Sequence, residues 1–235
     1  VATVDGGKVT GVAEGTATIT ATTKSGDKTA TCTVTVSEDA PAVIEDTLEG
    51  NITADRTISA ANKNFLKGFV YVKSGATLTI EAGSVIKGIS VASGERAASL
   101  IIEPGAKIIA EGTVDKPIVF TSDKEPGKRV TGDWGGLIIC GNARVNRTNQ
   151  PTIEGGPGTH YGNTTSDEFN GESSGKLKYV RIEFAGYPLE PDKEINGLTF
   201  GGVGSGTEVE FVQVSYSNDD SYEWFGGTVN AKHLI

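Results

Sequence analysis

Residues Thr77–Gly88, TLTIEAGSVIKG, return 22 residues later as Ser99–Ala110, SLIIEPGAKIIA. Each copy contains a short apolar strand, an acid, Ala or Pro, Gly, and a second short apolar strand. A strand-based repeat with a period of about 20 to 30 residues is typical of a solenoid whose coils stack on one another. The repeat therefore predicts a parallel β-helix of about seven coils, each adding about 4.8 Å.

Strand-like segments continue along the chain, and no segment keeps a helical period over ten residues. Tyr179–Phe184 and Phe211–Tyr216 form a second matched pair, spaced by 32 residues. Asn146–Ser174 is polar and too long for a plain turn, so we expect an excursion from the solenoid, where function is often located. The other candidate strands are Gly68–Val72, Leu78–Ile80, Val85–Ile86, Leu100–Ile102, Ile108–Ile109, Ile118–Phe120 and Leu137–Ile139.

The first 37 residues have a different pattern, in which apolar and polar residues alternate with a period of two. Thr16–Thr22 and Thr29–Val36 predict an antiparallel hairpin around a turn at Ser25–Asp27. Its apolar face is expected to contain Ile19, Ala21, Ala30, Cys32, Val34 and Val36. Residues 38–50, acidic and containing a proline, are expected to form a linker. The β-helix is then expected over 51–235, truncated at its C-terminal end because the pattern stops in mid-strand.

Composition excludes several classes of protein. The formal charge of −9 argues against a nucleic-acid partner, because phosphate binding needs clustered Lys and Arg. No stretch approaches 18 apolar residues, so no transmembrane segment is expected. Cys32 and Cys140 lie in different predicted domains, and we expect two buried thiols rather than a disulfide.

The N-terminal region resembles a known family. Val1–Asp5, Gly7–Ala13, Gly15–Ile19 and Val34–Val36 resemble the C-terminal half of the bacterial immunoglobulin-like domain, group 2. The resemblance implies part of a β-sandwich in front of the solenoid.

The solenoid has a resemblance of its own. Gly75–Gly83, Gly132–Ile138, Tyr179–Gly186 and Glu194–Phe200 resemble exported right-handed parallel β-helix proteins of the Bacteroidetes lipoprotein and surface-protein type. This implies a pectin-lyase-like solenoid that is exported to the cell surface, outer membrane or extracellular space. The expected fold class is thus all-β, with part of an immunoglobulin-like sandwich before a right-handed parallel β-helix, and other domains of a longer protein are expected partners.

The segment Asn218–Gly227 contains the densest group of candidate site residues. Asp219, Asp220 and Glu223 are candidate catalytic acids, and on an extended strand Asp219 and Glu223 would share a face. Asn218, Asp219 and Asp220 offer the oxygen ligands that Ca²⁺ prefers. The alternative is structural, because both aspartates can cap a turn.

Further candidates lie elsewhere. Arg181 is a candidate base for a lyase, although a salt bridge with Glu183 or Glu208 also explains it. Asp46-Thr47-Leu48 resembles the Bacteroidetes O-glycosylation site, which makes Thr47 a candidate in an exposed linker. The candidate ligand-binding aromatic residues are Trp134, Tyr222 and Trp224. For Trp224 the alternative is a structural role, in which its ring fills the interior of the solenoid.

The motifs of polygalacturonase-like hydrolases are incomplete here. That family has Gly-His-Gly where this chain has His160 before Tyr161, and Arg-Ile-Lys where this chain has Arg181-Ile182-Glu183. We therefore expect a non-catalytic surface or adhesion protein that binds glycan or extracellular matrix. A polysaccharide hydrolase or lyase is the second expectation, and a structural stalk without ligand is the third.

Overall fold

The computed structural model describes residues 1–25, 28–37, 43–91, 97–154, 157–190 and 193–235. They divide into two units, Val1–Val43 and Ile44–Ile235. In the smaller unit, strand β1 (Ala2–Asp5) pairs with β2 (Lys8–Gly11) and β3 (Gly15–Thr22) with β4 (Thr29–Val36), both antiparallel.

The β3–β4 pair is the hairpin that the alternation predicts. Gly26 and Asp27 of its expected turn lie outside the described residues. Ile19 and Val34 on the expected apolar face are half-buried, whereas Cys32 is exposed, so the prediction of a buried thiol there is wrong. The immunoglobulin-like identity of this unit stays a prediction.

The larger unit is a parallel β-helix. Its strands are β5 (Glu45–Ile52), β6 (Arg56–Ile58), β7 (Lys63–Val72), β8 (Thr77–Ile80), β9 (Val85–Gly88), β10 (Ser99–Ile102), β11 (Lys107–Glu111), β12 (Ile118–Ser122), β13 (Leu137–Cys140), β14 (Gly175–Glu183), β15 (Pro188–Glu190), β16 (Lys193–Glu194), β17 (Leu198–Val203), β18 (Glu208–Ser215), β19 (Tyr222–Gly227) and β20 (Asn230–Leu234). Only β15 and β16, among these described strands, pair with each other as an antiparallel hairpin.

The other strands form three faces, each with six rungs in the described part of the chain. Face A contains the C-terminal halves of β5 and β7, followed by β10, β13, β17 and β19. Face B contains the N-terminal halves of β5 and β7, then β9, β12 and the C-terminal halves of β14 and β18. Face C contains β6, β8, β11, the N-terminal halves of β14 and β18, and β20.

Inward-facing side chains from equivalent positions stack into columns that fill the solenoid. One column on face A consists of Ile52, Val72, Ile102, Ile139, Phe200 and Trp224. Because the register is parallel, each coil places its apolar residues directly over those of the coil below and buries them. The outward positions alternate with these and are free to carry polar groups or a covering segment.

The distance along the sequence between stacked strands varies. It is 22 residues from β6 to β8, 30 from β8 to β11 and 32 from β14 to β18. Ser99 therefore stacks on Phe69 and not on Thr77, whose partner is Lys107. The 22-residue repeat reflects a strand–turn–strand unit that recurs on different sides of the coil, whereas the predicted 32-residue spacing is the true stacking distance.

The solenoid starts earlier than the sequence suggests. Residues 45–50 of the expected linker form the first part of β5, and residues 38–42 lie outside the described part of the chain. Thr47 is exposed but belongs to this strand, where it pairs with Phe65 of β7. O-glycosylation of Thr47 stays a prediction, now for a strand and not for a linker.

Candidate functional site

The excursion leaves the solenoid after β13 and returns at β14. Its apolar residues Val145, Ile153 and Tyr161 are buried against the outward side of face A, where they contact a cluster that includes Ile138 and Cys140. The residues of face A beneath the excursion are apolar on the outward side of the sheet as well as on the inward side. Outward positions of an exposed sheet are usually polar, and here they are apolar because the excursion covers them. The excursion is thus a packed layer over the middle of face A.

A cleft of about 700 Å³ lies between the excursion and the last rung of face A. We call it the β19 cleft; its charged and aromatic lining residues are Arg144, Arg147, Tyr161, Trp224 and Phe225. The Tyr161 and Phe225 rings pack with centroids 5.9 Å apart. Trp224 continues the interior column and stacks on Phe200 at 5.7 Å, yet 44% of its surface is exposed. This exposure follows from its place in the last rung of the column, so the rings that lie on the outward side of face A in the cleft are those of Tyr161 and Phe225.

The charge in the β19 cleft is positive. Arg144 forms an ion pair with Asp167 at 3.3 Å. Arg147 has no ion-pair partner among the described residues, and its charge lies close enough to Tyr161 to oppose the effect of burial, which raises the pKa of that phenol. None of the described residues that line the cleft is an Asp or a Glu. The lining of the cleft therefore combines aromatic rings with a guanidinium that has no ion-pair partner among the described residues, while Glu223 and Glu154, outside the lining, also act on the Tyr161 phenol.

Glu223 is next to the cleft, half-buried on the outward side of face A. Asn196 donates a side-chain hydrogen bond to its Oε2 atom. Burial, together with the negative charges of Glu154, Asp220 and Asp219, raises the pKa of Glu223 from 4.5 to about 7. A carboxyl group with this pKa is partly protonated at neutral pH and has the acidity required of a general acid.

The other two predicted acids belong to an exposed turn before β19. Asn218 donates its backbone N–H to Ala185 at 2.9 Å, and the Asp220 carbonyl oxygen accepts from Gly197 at 3.0 Å. In the described part of the chain, no group of three or more His, Cys, Asp or Glu side chains is arranged to hold a metal ion. The turn position favours the structural alternative for Asp219 and Asp220, and calcium binding at Asn218–Asp220 stays a prediction.

Residues 50–235 match the family model described as a pectate-lyase like beta helix domain. The chain belongs to this family. No curated protein and no solved structure matches it. No helix in the described residues of this pectate-lyase-like domain is long and apolar enough to cross a membrane. The family establishes the parallel β-helix, which hosts more than one function, so the role of the domain must be argued from its surface.

Two of the predicted aromatic ligand residues prove to be structural in the pectate-lyase-like domain. Trp134 is fully buried, stacks on Phe120 and donates Nε1–H to the Glu183 carbonyl oxygen at 2.8 Å, so it cannot be a sugar platform. Tyr222 is half-buried in the interior, and its hydroxyl is 2.7 Å from the Val212 carbonyl oxygen. Of the three predicted residues, Trp224 alone is among the described lining residues of the β19 cleft.

Arg181 lies on the outward side of face B, and thus on a different face from Glu223. Its Nε atom is 3.4 Å from Glu183, whose other oxygen accepts from Thr121 at 3.1 Å. The salt bridge with Glu183 that the sequence offers as an explanation is present, whereas Glu208 pairs with Lys176 at 3.2 Å. The structure does not bring Arg181 together with the predicted acids.

Sequence reasoning did not identify Arg147, Tyr161, Glu154 or Asn196. The first three belong to the excursion, and only its length and polarity marked it as a region of interest. Their importance depends on where the excursion packs on face A, which no local pattern indicates. Asn196 lies in the connection before β17, and nothing near it in the sequence points to Glu223.

Proposed function

We propose that this domain binds saccharide chains without cleaving them, and that the β19 cleft is the binding site. The observation that carries the proposal is the lining of the cleft, which contains the rings of Tyr161 and Phe225 and an Arg147 without an ion-pair partner, but no carboxylate among its described residues. Aromatic rings pack against the apolar faces of sugars, and a guanidinium donates to hydroxyl or acidic substituents. Most glycoside hydrolases, by contrast, use two carboxyl groups across the scissile bond.

The proposal includes a location outside the cell, on the cell surface or in the surrounding matrix. The resemblance of the β-helix to exported surface proteins supports it. Glycans are abundant in that environment, so the location and the ligand class agree.

The test is affinity for a panel of neutral and acidic polysaccharides, measured by calorimetry and by retardation in polysaccharide-containing gels. Phe225→Ala and Arg147→Ala are each expected to weaken binding about tenfold, or about 1.4 kcal/mol. The matched controls are Tyr216→Ala, which removes a 68% exposed aromatic ring outside the cleft, and Lys128→Ala, which removes an exposed cation elsewhere. If the folded protein binds no polysaccharide, or if both cleft variants bind like wild type, the proposal is wrong.

A polysaccharide hydrolase is the second candidate, and the raised pKa of Glu223 favours it. In this alternative Glu223 is the general acid and Asp219 or Asp220 the second carboxylate. The experiment is release of reducing ends from the same panel, with Ca²⁺ and with chelator. Release that Glu223→Gln abolishes would establish the enzyme, and absence of release together with binding would support the non-catalytic proposal.

A further inference from the structure

A second cavity, of about 590 Å³, lies at the corner where β14 and β18 pass from face C to face B. We call it the corner cavity; its lining includes Val114, Pro117, Tyr179, Arg181, Phe211 and Gln213. The last four belong to β14 and β18, each of which pairs with strands on both sides. The cavity therefore lies on the flank of the solenoid, and these four side chains do not owe their exposure to a place in the last rung.

A closed turn forms the outer wall of the corner cavity. Between β11 and β12, the Thr113 backbone N–H donates to the Lys116 carbonyl oxygen at 3.0 Å, and the Lys116 N–H donates to the Thr113 hydroxyl at 3.0 Å. At the tip of this turn Val114 is 74% exposed, and Pro117 follows it in the lining. The turn thus holds an apolar wall at a fixed position beside the cavity.

The inner wall consists of the edges of aromatic rings. Tyr179 and Phe211 stack with their centroids 4.7 Å apart and their planes 7° apart, and Phe211 stacks on His233 at 4.4 Å. Both faces of the Phe211 ring are therefore covered by its neighbours, and the ring edge is the part that remains for a ligand. The edge of an aromatic ring carries partial positive charge, which attracts the oxygen atoms of an anionic group.

Arg181 adds a full positive charge to the lining. It lies on the outward side of face B, level with Gln213 of β18. Its Nε atom is 3.4 Å from Glu183, yet its guanidinium donates no hydrogen bond to any of the described residues. A partly exposed ion pair of this kind contributes little, so the N–H donors of the guanidinium remain available to a ligand. No Asp or Glu is among the described residues that line the corner cavity.

We propose that the corner cavity binds a small amphipathic carboxylate, a molecule with a carboxylate at one end and a short apolar body. The planar guanidinium of Arg181 and the aromatic edges suit the carboxylate, and Val114 and Pro117 suit the apolar body. A neutral apolar molecule would use only the apolar wall, and a small hydrophilic anion only the charged part. The site shares no described lining residue with the β19 cleft and does not depend on the proposed glycan binding.

The experiment is a titration of the whole chain with sodium hexanoate at neutral pH and constant ionic strength, followed by amide chemical shifts. Saturable shifts are expected at Val114, Arg181 and Gln213 with a Kd of about 2 mM. Hexanamide has the same apolar body without the charge, acetate has the charge without the body, and both are expected to bind at least about fivefold more weakly. Absence of saturable shifts up to roughly 50 mM hexanoate would refute the proposal, and so would equal affinity for hexanamide or acetate.

Two substitutions separate the charged and the apolar parts of the corner cavity. Arg181→Gln is expected to weaken hexanoate binding at least about fivefold and to leave hexanamide binding unchanged, whereas Val114→Ser is expected to weaken both. Both side chains are substantially exposed, so the urea midpoints should remain those of the wild type. An Arg181→Gln variant that binds hexanoate like wild type would overturn the proposal.

The matched controls remove the same chemistry outside the corner cavity. Lys107→Gln removes an exposed cation on face C, and Val130→Ser removes a 57% exposed valine outside the lining. Both are expected to bind hexanoate like wild type, and losses equal to those of the cavity variants would show non-specific binding and refute the site. Phe225→Ala impairs the β19 cleft and should leave this titration unchanged, so a failure of the proposed function is distinguishable from a failure here.

Discussion

Replacement of Glu223 by glutamine is expected to stabilise the solenoid at alkaline pH and to have little effect at acidic pH. In the folded protein the pKa of Glu223 is raised from 4.5 to about 7, because the carboxyl is half-buried and faces Glu154, Asp219 and Asp220. Below pH 4.5 the group is protonated in both states and contributes nothing. As the pH rises through the window from 4.5 to 7, the unfolded chain ionises first and the native state loses stability, and above pH 7 the full loss remains.

The size of the effect follows from the two pKa values. Their difference corresponds to about 3.4 kcal/mol, which is an upper bound for a fully buried group. Because Glu223 is partly exposed, solvent screening reduces the expected gain of Glu223→Gln at pH 8 to about 1–2 kcal/mol. Glutamine keeps an oxygen that accepts the Asn196 hydrogen bond, so the substitution removes the charge and little else.

The assay is urea unfolding at pH 4 and pH 8, followed by the fluorescence of the two tryptophans, both of which lie in the β-helix. Glu168→Gln is the matched control, because Glu168 is exposed and has no ion-pair partner among the described residues. An equal effect of Glu223→Gln at the two pH values, or a loss of stability at pH 8, would refute the electrostatic argument.

Two further predictions concern packing and the thiols. Gly88→Ala should destabilise the solenoid by about 1–3 kcal/mol, because the new Cβ would lie 2.6 Å from the Trp134 Cβ. Gly171→Ala, whose Cβ would meet nothing within 4 Å, should change the urea midpoint little, and equal midpoints for both variants would contradict this packing. In thiol titration of the native protein, the exposed Cys32 should react at once. Cys140 should react only on unfolding, because it is buried and because burial also raises the pKa of its thiol. Cys32→Ser should remove the fast phase, and a fast phase that persists would show that Cys140 is accessible.

Local patterns account for much of the architecture. The strand–turn–strand units around Thr77–Gly88 and Ser99–Ala110 predict a parallel solenoid, and the 32-residue spacing of Tyr179 and Phe211 predicts which strands stack late in the chain. The register of the early coils is not predictable in this way. Ser99 and Thr77 begin the two copies of the repeat, and yet Ser99 stacks on Phe69. Similar apolar segments compete for the same neighbours, and the length of each connection decides between them.

The candidate site was only partly visible. Asp219, Asp220 and Glu223 look alike in the sequence, but the first two are exposed in a turn while Glu223 is half-buried beside Asn196. Their neighbours along the chain cannot show this difference, because the burial of Glu223 depends on segments distant in sequence.

By itself, the sequence determined that the chain forms short strands separated by glycine turns, that these strands stack as a parallel β-helix, and that a polar segment leaves it. These features depend on residues close together in the chain, where alternation and turn residues act directly. Only the tertiary structure decided that Trp134 is enclosed, that Trp224 continues the interior column, and that Arg147 lines a cleft together with Phe225. Exposure and charge environment are set by which distant segments pack together, as they do where the excursion covers face A.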